Sequence, residues 1–204
     1  MTTAAISDEK KIEILNDHYK DTFSQLSKYL EKRERLFSLI LVTVVVLLFQ
    51  LYSPSEANTT IGEFILKKLD LQSTVNIAFV NSVIWFILLG LVVSYFQTII
   101  HIERQYTYVH GLEEQLSKEF HGKAFTREGK SYLKNYPQFD NWMHFIYTLV
   151  FPAVLILMVV LKIINEIYSL IGKGISPLLI FNSGIALCII ISTTLYVRAM
   201  YFGR

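Results

Sequence analysis

The stretch from Val75 to His121 constrains the fold most. It opens as an apolar run, Asn76 to Ile100, and passes into a charged segment, His101 to Phe120, with neither Gly nor Pro at the join. The only glycine between Val75 and His110 is Gly90, inside the apolar part. At 1.5 Å of rise per residue, about 45 residues make a helical rod of roughly 65–70 Å. The hydrocarbon core of a bilayer is only about 30 Å thick. Half of such a rod therefore stands in water, and the chain must fold as a membrane bundle tied to a soluble helical layer.

Charge is segregated along the chain. Only 18% of the 204 residues are charged and 52% are apolar, and four stretches are nearly free of charge. A soluble domain carries about 25% charged residues. The net charge of +2 is too small to argue for nucleic acid, and no direct nucleic-acid binding is expected. The single cysteine, Cys188, lies in an apolar run, which excludes an internal disulfide and argues against a cysteine metal site. The polar residues before Leu36 do not read as a cleavable signal peptide.

Residues 7–35 read as an amphipathic helix capped by Ser7. Ile12, Leu15, Tyr19, Phe23, Leu26 and Leu30 form one stripe at helical spacing. Span one follows, Leu36 to Tyr52, and Pro54 ends it. In the loop after it, Thr60 and Glu63 fit a capping box. They predict a short surface helix with Ile61, Phe64, Ile65 and Leu69 on one face and Lys67 and Lys68 in water.

Span two, Asn76 to Ile100, carries Gly90, Ser94, Gln97 and His101 on one face, followed by Arg104. Small and polar residues on one face of a span point to helix–helix contact or to a pore-facing side. Beyond the membrane the same helix repeats an apolar stripe, Ile102, Tyr106, Val109, Leu116 and Phe120, broken only by Glu113. Both stripes leave the membrane on one side, and the simplest way to hide them is against each other. Whatever stays unpaired is a docking face, with Tyr19, Phe23, Leu26, Tyr106, Val109, Leu116 and Phe120 as its candidate residues.

Gly122 stops that helix. A polar elbow follows, with Thr126 capping a short helix that Pro137 ends, and Tyr132, Tyr136, Phe139 and Trp142 crowd the approach to span three. Asp140 caps span three, His144 to about Ile164 with an extension to Ile171, and Pro152 should kink it. Lys162 and Glu166 are one helical turn apart, and counting along the span puts them at the outer interface, where Lys162 snorkels and the pair can bond. Gly172 to Ser176 is a turn, and Pro177 begins span four, which runs to Val197.

The expected fold is all-α: a polytopic membrane protein with four transmembrane helices and cytosolic helical extensions. Its regions are 1–35, an amphipathic helix; 36–100, spans one and two with an outer loop at 53–75; 101–142, extension and elbow; and 143–204, spans three and four. Fifteen Lys and Arg fall on the side of both termini and four on the other, which puts the termini and the middle loop in the cytosol.

No phosphate loop, dinucleotide fingerprint or metal-spaced His/Cys cluster is present, so neither cofactor nor metal is implied. Arg104 and His110, separated by five residues within Arg104-Gln105-Tyr106-Thr107-Tyr108-Val109-His110, resemble the signature of HEPN ribonucleases. That resemblance implies an alternative activity, a membrane-tethered ribonuclease in which His110 is acid or base and Arg104 steadies the phosphate.

The whole layout, with the elbow Phe125 to Pro137 between paired extensions, resembles small four-span membrane proteins of bacterial antiviral defence systems. The membrane subunit of the Kiwa system and the accessory proteins of type VI-B CRISPR loci are of this kind. The resemblance implies a homo-oligomer in the bacterial inner membrane that senses infection or perturbs the membrane together with a soluble cytosolic partner. The expected function is a non-enzymatic sensor or scaffold. A pore-forming or depolarising effector is the alternative that the polar faces of spans two and four suggest.

Overall fold

A computed structural model describes residues 8–70, 76–119, 142–143, 145–169 and 176–202, and among them there is no strand. Helix α1, Asp8–Tyr52, runs 45 residues without a break. The charged run Glu31 to Arg35 consists of good helix formers, so nothing separates the amphipathic segment from the apolar one. Helix α2 is Pro54–Leu69. Helix α3, Ile77–Glu119, spans 43 residues and passes through the apolar-to-charged join at Ile100 intact. Asn76 starts it by accepting the Phe79 N–H on Oδ1 at 3.2 Å. A π turn, Ile146–Val150, leads into α4, Phe151–Ser169, and α5 is Pro177–Phe202. α1, α3, α5 and α4 with its π turn are long and apolar enough to cross a membrane.

Two local expectations change. Thr60 and Glu63 are no capping box, because α2 begins six residues earlier. Pro54 stands at its first turn, where the missing N–H costs nothing and the fixed φ favours helix. So Pro54 opens α2 as well as following span one. On α2, Phe64 is 62% exposed, Ile61 and Ile65 are half-buried, and Ala57 and Gly62 are buried. A Cβ on Gly62 would meet Ile77 Cδ1 at 3.4 Å, an ordinary van der Waals contact, so α2 and α3 lie side by side there. Finally, the irregularity expected at Pro152 lies upstream, as the π turn. A proline frees the carbonyl four residues back and crowds it, and a widened turn accommodates both. The Ser7 cap, the elbow at 120–141 with the Thr126 and Asp140 caps, and the turn at 170–175 lie outside the described residues.

The described residues fall into two compact units. The hairpin unit comprises residues 8–34 of α1 and 97–119 of α3. As the position on α1 rises through His18, Tyr19 and Tyr29, the partner on α3 falls from Tyr108 and Glu113 to His101, so the two helices are antiparallel. Leu26, Ile102, Val109, Leu112 and Leu116 fill the seam, each at most 4% exposed. Thr22 is buried there too, and its hydroxyl donates to the His18 carbonyl at 2.7 Å, so it is not left as an unmet donor.

The apolar unit comprises residues 35–96 and the chain from 144 onward. An aromatic cluster holds it at one level. Phe37 of α1 meets Tyr95, Tyr147 and Phe151 at ring-centroid distances of 5.9, 5.3 and 5.0 Å, and Phe96 stacks on Tyr196 of α5 at 4.1 Å. Such pairs add about 0.5–1.5 kcal/mol each beyond the area they bury. Most of every apolar window stays uncovered by protein. Val42, Val45, Phe86, Leu157, Ile180, Leu187 and Leu195 all point outward. In water this surface would aggregate the chain; in lipid it is the solvated face.

Candidate functional site

The apolar unit buries an ionic centre. Lys162 and Glu166 share a face of α4, and Trp85 of α3 and Asn182 of α5 close on them. Glu166 Oε1 takes the Trp85 indole N–H at 2.9 Å and lies 3.9 Å from Lys162 Nζ. Its Oε2 takes the Asn182 Nδ2–H at 2.9 Å. The side chain of Lys162 is 5% exposed and that of Glu166 15%. This corrects the expectation that Lys162 reaches for the interface: with its counter-charge one turn away and inside, the ammonium has a partner without leaving the bundle.

The chemistry of the carboxylate fixes the Asn182 amide. An ionised carboxylate only accepts, so Nδ2 must face Glu166. Asn182 Oδ1 is then left buried with no hydrogen-bond partner. A second amide pair repeats the pattern: Gln50 Nε2 of α1 donates to Asn81 Oδ1 of α3 at 2.6 Å, and Gln50 Oε1 has no partner. Asn81 and Trp85 are one turn apart on α3. α1, α3, α4 and α5 are thus joined by polar contacts in an apolar unit. An unpaired buried acceptor costs about 1–3 kcal/mol.

The sequence singled out other residues, which the structure distributes between seam and surface. Of the docking candidates, Leu26, Val109 and Leu116 are consumed by the seam, Tyr106 is half-buried, and Phe120 lies outside the described residues. Tyr19 donates to Glu113 at 3.2 Å and stacks on Phe23, which remains 38% exposed. On α3, Gly90 and Gln97 are exposed, Ser94 is half-buried, and His101 packs its ring 4.4 Å from Tyr29. A Cβ added to Gly90 meets nothing within 4 Å, so no contact within the chain requires a glycine there.

Arg104 is exposed, and His110 is half-buried with its ring 6.4 Å from Tyr106. Six residues of helix turn through about 600°, which sets the two side chains about 120° apart around the axis. The helix alone does not bring them onto one substrate; a second copy would have to complete such a site. Among the described residues no cluster of His, Cys, Asp and Glu suits a metal ion.

Trp85 escaped the sequence reading, which took Asn182 as one of the packing-type polar residues of span four and singled out only Lys162 and Glu166 as a pair. The available signal was two hydrogen-bonding side chains within spans, one turn or two from the ends where α3 and α5 begin. No family model, no curated protein and no solved structure matches this chain.

Proposed function

We propose that the protein is a non-enzymatic membrane scaffold or sensor that docks a soluble partner through its hairpin unit. The observation that supports this most is a closed antiparallel seam that still leaves Phe23 on its flank, beside Tyr19. A two-helix unit buries one side of each helix, and full helical bundles bury more. Its remaining sides are matched to another protein. Self-association belongs to the same reading, through the open Gly90 and Gln97 face of α3. A bacterial inner membrane, cytosolic termini and an antiviral role rest on the charge distribution and on the architectural resemblance.

Two variants test the docking. In mild detergent the full chain should carry a soluble protein in stoichiometric amount. Deleting residues 1–30 should remove that protein, and Phe23→Ser should weaken its retention about tenfold, the scale of an aromatic anchor at an interface. Membrane insertion should be unchanged in both. A partner retained fully by both variants would count against the reading.

The ionic centre favours a second reading, a membrane-depolarising effector. Ionisable residues inside a membrane bundle commonly line ion or proton paths, and here Lys162 would block the path while Glu166 holds it. Protein reconstituted in liposomes should then leak ions on Lys162→Met substitution. Vesicles of this variant as tight as wild type would remove that reading.

A further inference from the structure

The surface of α4 and α5 carries an apolar trough of about 650 Å³, the size of a small-molecule site. Pro152, Ala153 and Thr194 are small, and their lack of bulk beside Leu149 and Val197 leaves the space. The Thr194 hydroxyl donates to the Ile190 carbonyl at 2.8 Å, so it adds no unmet polar group to the lining. The one charged lining residue is Arg198. Among the described residues no carboxylate pairs with it, and its side chain is exposed.

Depth identifies the occupant. From Pro177 to Arg198 the helix rises about 32 Å, just over the roughly 30 Å of hydrocarbon. Arg198 therefore stands at the headgroup level opposite the start of α5. Thr194 lies about 6 Å nearer the midplane, among acyl chains. The trough thus pairs an apolar slot at chain depth with one cation at headgroup depth. We propose that it holds an acyl chain of an anionic phospholipid whose phosphate pairs with the Arg198 guanidinium. A guanidinium suits this task because its planar fork matches two phosphate oxygens. The site stands on the π turn, α4 and α5 and does not depend on a docked partner.

The test equilibrates the full chain in detergent with equal amounts of palmitoyl-oleoyl phosphatidylglycerol and phosphatidylcholine, and reads retained lipid by native mass spectrometry. Wild type should favour phosphatidylglycerol about fivefold, the ratio one basic side chain supplies beside an anionic headgroup. Arg198→Gln should abolish that preference, and Arg198→Lys should keep most of it. Ala153→Phe, which fills the slot and leaves the cation, should lose the bound phosphatidylglycerol while eluting as a folded species. Equal retention of both lipids by wild type, or an unchanged preference in Arg198→Gln, overturns the proposal. So does full retention by folded Ala153→Phe, which would mean binding by surface charge alone. If Ala153→Phe instead splits an oligomer while wild type retains neither lipid, the trough is an interface between copies and the lipid assignment fails.

Discussion

Replacing Glu166 with leucine is expected to lower the stability of the apolar unit by about 3–5 kcal/mol, the usual cost of stranding one member of a buried ion pair. The substitution leaves Lys162, 4% exposed, without its counter-charge. It also takes the acceptor from the Trp85 indole and the Asn182 amide. The double variant Lys162→Met, Glu166→Leu should recover part of the loss, since no lone charge remains. It should still fall short of wild type, because two buried donors stay unmet at about 1–3 kcal/mol each. Thermal unfolding of the full chain in detergent, followed by circular dichroism, reads both. A Glu166→Leu protein that melts with wild type would show that the pair is solvated and the centre is not structural.

The second large effect concerns the hairpin seam. Leu116 is fully buried there, and its truncation to alanine should cost about 2–5 kcal/mol. A two-helix unit has little stability to spare, so the loss appears as opening. At the lower figure the open population rises about thirtyfold, since each 1.4 kcal/mol is a factor of ten. Trypsin cleavage after Lys10, Lys11, Lys20 and Lys28 should accelerate in proportion, because fast-closing segments are cut according to their open fraction. Phe23→Ala, on the flank, should change the rate no more than about twofold, as surface substitutions do. Equal rates for Leu116→Ala and wild type would mean that the seam does not hold the hairpin.

The elements were legible in the sequence wherever a period ran long. The stripe from Ile102 to Leu116 sits in the seam, and the four apolar runs are four helices long enough for a bilayer. Boundaries failed where a local rule was outranked. The capping box at Thr60 lost to the proline that had already begun α2. In the seam, Phe23 yields its expected place to Thr22, because a threonine that satisfies its own hydroxyl packs like a valine. A count of apolar residues does not register that. The ionic centre was half legible: a Lys and a Glu one turn apart announce a pair, but whether it faces lipid, water or protein depends on α3 and α5. Their contributions, Trp85 and Asn182, are 81 and 16 residues from Glu166.

The widened turn at Ile146–Val150 has a consequence for numbering faces along this helix. One additional residue per turn shifts the angular phase by about 100°. Side chains on its two sides therefore obey separate helical wheels. A pair such as Phe145 and Ile156, which one wheel would put about 20° apart on a common stripe, ends about 80° apart. Deleting a single residue there would realign the wheels and turn Phe145 by more than a quarter turn about the helix axis, while every position from Phe151 onward kept its phase.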